Sequence, residues 1–289
     1  MTTKPLEKHF ETQFVNYLIE NEGYLLIDSN KYDKKLGLIP ELAIRFVKES
    51  QPKEWEKMIQ QYGSEVEDKY LIRLKELLDG SGTAKALKKK VETKGCKIDL
   101  VYFKPQTTKN PEHVEAYSKN ILSISRQFKY STETKINITN NEKEEIKNSL
   151  DIVIALNGIP IITIELKNIQ NSQNYKDAIE QYKYNRNPKE LIFKRALVNF
   201  AMDNDYIFMA TELKGKDTFF LPFNKDIQNP INTNGNKTDY LFKEILTRDS
   251  ILDLIDNFIL EVEKINESTG TKTKEVVFPR YHQLDSVRK

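Results

Sequence analysis

Residues 151–167, DIVIALNGIPIITIELK, constrain the fold of this chain more than any other stretch. Two apolar, β-branched runs flank Asn157-Gly158, and both turn residues tolerate positive φ, so the segment predicts a tight antiparallel hairpin. Side chains alternate faces along a strand, which puts Glu165 and Lys167 on one side and Ile164 and Leu166 on the other. Asp151 opens the first strand, and the turn folds the chain back so that Asp151 returns towards Glu165 and Lys167. Two carboxylates and an ammonium at the end of a buried hairpin are costly unless they have a task.

Chemistry supplies one such task. Mg²⁺ takes oxygen ligands, commonly one or two carboxylates with water and phosphate filling its octahedron. A lysine beside such an ion can orient or deprotonate a water and offset developing charge. The pattern therefore suggests a divalent-metal phosphodiesterase. An edge hairpin carrying a surface ion pair is the bland alternative.

A bare Glu-x-Lys is weak evidence in a chain that is 30% charged, and it occurs six times, at Glu67, Glu92, Glu133, Glu145, Glu165 and Glu212. The first four lie in polar stretches. Glu212 follows an apolar strand, but its upstream acids, Asp203 and Asp205, lie on the same strand's entry. Seven residues of extended strand span roughly 23 Å, too far to share an ion. Only Glu165 has a hairpin to bring a partner back.

Around the hairpin, helical spacing is predicted at 6–22, at 40–60 with a break at Gln51-Pro52, at 65–78, and in a lysine-rich stretch at 85–94. A strand follows at 98–103; from 119 the pattern turns to strands, in ILSISRQFKY and then beyond the hairpin in ALVNFAM, DYIFMATEL and FFLPFN. A helix is expected at 175–186 and an amphipathic one at 250–265. The expected architecture is α/β (α+β), a mixed sheet flanked by helices. The expected organisation is one domain, 1–265, with a helical part at 1–95 and a sheet-containing core at 96–265, then a linker at 266–289.

The net charge of +2 is too balanced to argue nucleic-acid binding from composition. No apolar run reaches the length of a membrane span. The N-terminus lacks a secretion signal, and the single Cys96 excludes a disulfide framework, so a cytoplasmic setting is expected. The lysines 85, 88, 89, 90, 94 and 97 are either a phosphate-binding patch or a solvated face. Lys189, Lys194, Arg195, Arg126 and Lys129 lie nearer the hairpin. The three histidines have no metal-site spacing.

Asp151…Glu165-x-Lys167 across a hairpin resembles the signature of the PD-(D/E)xK nuclease superfamily. SLDIVIALNGIPIITIELKN, AIEQYKYNRNPKELIF, LVNFAMDNDYIFMATELKGKDTFFLPFN, TDYLFKEIL, VVFPRYHQLDSVRK and HFETQFVNYLIENEGY resemble the nuclease region of the motor/restriction subunit of Type I restriction-modification enzymes. The resemblance covers nearly the whole chain. It implies a PD-(D/E)xK restriction-endonuclease-like fold and a Mg²⁺-dependent DNA endonuclease domain. Asp151 and Glu165 would be metal ligands, and Lys167 would position or activate the water. That family carries Q-x-x-x-Y on the helix after the hairpin. Here Gln181 is followed by Tyr182 and Tyr184, with Asn185 at the fourth position, which nominates Gln181 and Tyr184 as catalytic support. Superfamily members place an acid from the first helix near the metal, which nominates Glu11.

The resemblance further implies double-stranded DNA, methyltransferase and specificity subunits, and an ATP-driven translocase motor as partners. The motor is expected to follow residue 289. No G-x-x-x-x-G-K-[ST] occurs in these 289 residues, so ATP is expected to concern the full-length protein only. Segment 168–177 is the nearest candidate contact with that motor. The rival expectation is a catalytically silent nuclease-fold module that docks DNA or subunits.

Overall fold

The structure is a computed structural model that describes residues 4–107, 109–136, 143–145, 148–168, 172–265 and 272–289. Residues 169–171 of the proposed motor contact lie outside them. The N-terminal part holds helices α1 (Lys4–Glu22), α2 (Pro40–Ser50), α3 (Pro52–Tyr62), α4 (Val66–Ser81) and α5 (Thr83–Ala86), with short strand β1 (Leu25–Leu26) after α1. A small hairpin follows, β2 (Lys90–Thr93) and β3 (Cys96–Asp99), then α6 (Pro111–Ser118) and β4 (Leu122–Lys129). Next come β5 (Thr134–Ile136), β6 (Lys143–Glu145), β7 (Ser149–Leu156), β8 (Ile159–Leu166), α7 (Tyr175–Tyr184) and α8 (Leu191–Arg195). Strands β9 (Val198–Met202), β10 (Ile207–Ala210) and β11 (Leu221–Pro222) lead to α9 (Arg248–Asp253), flanked by π-helical turns at Leu241–Ile245 and Leu254–Phe258. Strands β12 (Leu260–Ile265) and β13 (Lys272–Val277) and helix α10 (Tyr281–Arg288) complete the described chain.

Seven strands form one mixed sheet in the order β1-β4-β7-β8-β9-β10-β11, with β1–β4 and β8–β9 parallel and the other pairs antiparallel. The expected mixed sheet with flanking helices is therefore present. Strand β8 sits at its centre, and every residue of it is buried. Pro160 cannot donate to a ladder, and the register shifts at that end of the hairpin: Ile154 faces Ile162, whereas Ala155 faces Pro160.

The Asn157-Gly158 turn takes φ of 49° and 78°. Its tip is buried. Asn157 accepts from the Ile121 N–H at 2.6 Å and donates to the Leu100 carbonyl at 2.8 Å. The Gly158 carbonyl accepts from Ile39 N–H, just before α2. A Cβ on Gly158 would lie 2.5 Å from the Ile39 oxygen and 2.6 Å from the Ala43 nitrogen. Gly158→Ala combines a left-handed backbone with a backbone clash. It is expected to lower the melting temperature by roughly 5–10 °C in a thermal scan; an unchanged melt would mean that the turn is not held this way.

Two expectations are corrected. The lysine-rich stretch 85–94 is not a helix: α5 stops at Ala86, and Lys90–Thr93 pairs with Cys96–Asp99 across a turn with Lys94 at φ 42° and Gly95 at φ 83°. The helix expected at 250–265 gives way at Leu260 to a strand. Of the expected linker at 266–289, the described residues 272–289 hold β13, which pairs with β12, and α10. Phe278 and Leu284 are buried, and the Phe278 ring packs edge-on to Phe200 at 6.0 Å.

Candidate active site

The β7–β8 register runs Ile152↔Ile164 and Val153↔Thr163, so its continuation sets Asp151 opposite Glu165. Directly opposed side chains share a face. Asp151 Oδ2 accepts from the Leu166 N–H at 2.8 Å, and Lys167 Nζ lies 4.0 Å from the same oxygen. The Lys167 N–H donates to the Met202 carbonyl at 2.9 Å, which extends the parallel pairing with β9 and holds the lysine at the strand's end. The hairpin thus brings Asp151, Glu165 and Lys167 together.

Their environments differ. The Asp151 side chain keeps 14% of its exposure, whereas Glu165 has none. Burial, reinforced by the nearby Asp151 charge, pushes the Glu165 carboxyl well above its ordinary range, and Arg186 and Lys167 offset part of that. Arg186, just after α7, donates from Nε to Glu165 Oε1 at 2.8 Å, with Nη2 at 2.7 Å from the same oxygen. Nη2 also donates to the Ser149 carbonyl of β7 at 2.8 Å. Glu165 Oε2 is buried with no hydrogen-bond partner. An orphaned carboxylate oxygen in a sealed interior is a group whose partner is a ligand or a water.

Glu11 on α1 is buried and reaches this neighbourhood through two residues of β4. Arg126 Nε donates to Glu11 Oε1 at 2.6 Å, and Gln127 Nε2 donates to Glu11 Oε2 at 3.3 Å. The same Gln127 nitrogen donates to Asp151 Oδ1 at 3.1 Å. Helix α1 can present Glu11 because Phe10 and Phe14 anchor its inner face.

The support expected from α7 is arranged differently. Tyr184 is 69% exposed. Gln181 is half-buried, and the described hydrogen bonds of Asp151 and Glu165 go to Gln127, the Leu166 N–H and Arg186 instead. The buried tyrosine of this helix is Tyr182, whose hydroxyl is 2.8 Å from Thr163 Oγ1, two residues before Glu165 on the same face. Burial first, then the Glu165 charge, raises the Tyr182 hydroxyl well above its usual value. The hydroxyl of Tyr130, just beyond β4, is also buried and unpartnered.

The basic residues singled out in the sequence are largely engaged within the fold. Lys88 donates to the carbonyls of Asp256 and Ile259, Lys90 pairs with Asp99, Lys97 pairs with Glu92, and Lys94 lies over the Tyr62 ring. Arg195 is buried against Asp79 at 2.6 Å. Glu212 is ion-paired to Lys214, both half-exposed, and Asp203 accepts three backbone N–H groups beside α7.

Sequence spacing missed Arg186 and Gln127. Their contacts cross from a following loop and a preceding strand, and neither position carries a motif. The residues present offer a divalent cation two carboxylates: Asp151 is half-buried, and Glu165 Oε2 is unpartnered. Among the described residues, however, no group of three His, Cys, Asp or Glu side chains is disposed to hold a metal ion, so Glu11 does not complete a preformed trio. Nor is any helix among them long and apolar enough to cross a membrane.

No curated protein matches the chain. Residues 4–218, a span containing Glu11, Gln127, Asp151, Glu165, Lys167 and Arg186, match the family model described as Type I restriction enzyme R protein N terminus. The chain belongs to that family.

Proposed function

We propose that this chain is a Mg²⁺-dependent DNA endonuclease domain of the PD-(D/E)xK type within a Type I restriction enzyme motor subunit. The observation that carries the reading is the hairpin register, which sets Asp151 across from Glu165 with Lys167 Nζ 4.0 Å from Asp151 Oδ2. Asp151 and Glu165 would hold the cation, with water and phosphate oxygens completing its shell. The bound cation supplies Lewis acidity at the scissile phosphate and a lowered pKa for a coordinated water. Lys167, on the Glu165 face of β8, orients the attacking water and offsets charge that develops on the phosphoryl oxygens. Arg186 holds Glu165 by one oxygen and leaves the other available. Gln181 stands on the adjacent helix as a support residue, and the tyrosine role passes from exposed Tyr184 to buried Tyr182.

Target recognition would rest with specificity and methyltransferase subunits, and cutting would follow translocation by the motor. The ladder of buried polar groups around Glu165 favours this reading over a silent docking module, because a fold kept only for docking has no need to bury an unpartnered carboxylate oxygen. Calorimetric titration with Mn²⁺ tests it. The expected result is one or more sites lost in Asp151→Asn and weakened at least tenfold in Glu165→Gln; equal binding by wild type and Asp151→Asn would sink the metal assignment.

A further inference from the structure

We infer that Gln127 is a positioning residue of this site, its side-chain amide joining Asp151 of the hairpin to Glu11 of the first helix and fixing the aim of both carboxylates. The inference rests on the proposed reading of Asp151 as a metal-binding group.

The backbone is the first sign. Gln127 sits inside β4 with φ of 46°, a left-handed conformation that a non-glycine residue adopts at a cost. Its neighbours keep the ordinary ladder, with Arg126 opposite Ile152 and Phe128 opposite Leu150, so the register is not interrupted. The departure is therefore confined to the one residue that faces Asp151. A left-handed residue in mid-strand persists only when its surroundings over-determine it, and such residues concentrate at functional sites.

The hydrogen bonds are the second sign. A primary amide nitrogen has two N–H donors. Here one reaches Asp151 Oδ1 at 3.1 Å and the other Glu11 Oε2 at 3.3 Å. The amide oxygen accepts from Ser149 Oγ at 3.4 Å, which fixes which end of the amide faces the acids. No donor is left over.

The choice of group follows from what the carboxylates must do. Arg126 already offsets the charge of Glu11. A lysine or arginine at position 127 would also satisfy two acids, but it would neutralise Asp151 and compete with a cation. A neutral amide holds both groups without discharging them. Each carboxylate oxygen keeps a lone pair for a further partner. The amide also links α1 to the β7–β8 hairpin, so a shift of the first helix changes the aim of Asp151.

Gln127→Gly is the discriminating variant, because glycine accepts the left-handed backbone while it removes the side chain with its amide. It is expected to melt within about 2 °C of wild type, while Mn²⁺ affinity, read by calorimetry and by the ion's EPR line shape, falls about tenfold. Gln127→Ala should lose affinity equally and melt lower. Without metal, the melting cycle of Gln127→Gly with Glu11→Gln reports the bridge. With the amide gone, Glu11→Gln relieves repulsion with Asp151, so its destabilising effect shrinks or reverses. Additive melting shifts, or an unchanged Mn²⁺ affinity in both Gln127 variants, would overturn the inference. If wild type and Asp151→Asn bind Mn²⁺ equally, the metal reading fails, and the metal-free cycle then decides the bridge by itself.

Discussion

Arg186→Met is expected to cost the fold about 3–5 kcal/mol, the range for removing one partner of a buried ion pair. Glu165 is fully enclosed by β7, β9 and the residues after α7, and the guanidinium is its one described hydrogen-bond donor. Methionine fills the volume but leaves a carboxylate in the interior with neither oxygen satisfied, and it also removes the hydrogen bond by which Arg186 tethers the Ser149 carbonyl. Arg186→Lys should recover only part of the loss, since a compact ammonium cannot span Glu165 and Ser149 as the planar fork does. The variant should respond to pH. The Glu165 carboxyl already lies above its ordinary 4.5 in the folded protein, and loss of Arg186 raises it further. The folded state then binds more protons than the unfolded one, so stability falls as pH rises above about 4.5. The penalty should be smallest in acid and grow towards neutrality. Melting curves at pH 5 and pH 8 check this; a variant that melts like wild type at both pH values would show that Arg186 does not carry the Glu165 charge. Glu165→Gln in the Arg186→Met background should restore much of the loss, because it removes the buried charge.

The sequence makes the centre of the fold legible because the information there is local. Asn157-Gly158 dictates a turn by its own φ preferences, and the turn alone returns Asp151 to Glu165. Helices α2 and α3 are legible for the same reason, since Pro40 and Pro52 each occupy a first helical turn where a missing N–H costs nothing. What fails is what neighbours decide. KALKKKVETK has the composition of a helix, yet Val91 and Ile98 are drawn into the core and Lys94-Gly95 closes a hairpin between them. Leu260 to Ile265 continues a helical apolar spacing, but pairing with Lys272–Val277 wins over it. At the site, Arg186 and Gln127 were invisible because each reaches its carboxylate across more than twenty residues of chain. The burial of Tyr182 is a matter of helical spacing. The Q-x-x-x-Y spacing runs from Gln181 to position 185, just past α7, whereas helical geometry turns Ala178 and Tyr182, four residues apart, to the interior.

Lys167→Met is expected to reduce DNA cleavage by about 10²–10⁴-fold in the complete restriction complex, the range for losing a positioned proton-transfer or charge-stabilising group. Methionine keeps most of the aliphatic stem, which is nearly buried at the end of β8, and deletes only the ammonium. Strand pairing is unaffected, because the Met202 carbonyl takes the backbone N–H of residue 167 whatever its side chain. The ammonium is not a ligand, so Mn²⁺ affinity should hold or rise: one positive charge 4.0 Å from an Asp151 oxygen has been removed. That split separates Lys167 from the carboxylates. Asp151→Asn should lose cation and cleavage together, whereas Lys167→Met keeps the cation and loses the cut. ATP hydrolysis and translocation by the complex measure the motor in the same preparation and should be unchanged, since these 289 residues carry no phosphate loop. Plasmid linearisation at normal rate by the Lys167→Met complex would remove Lys167 from the chemistry. Loss of Mn²⁺ binding in that variant would instead make the lysine a structural prop for Asp151. Retained binding with lost cleavage is the outcome that a water-orienting ammonium requires, and no arrangement in which the hairpin merely docks DNA produces it.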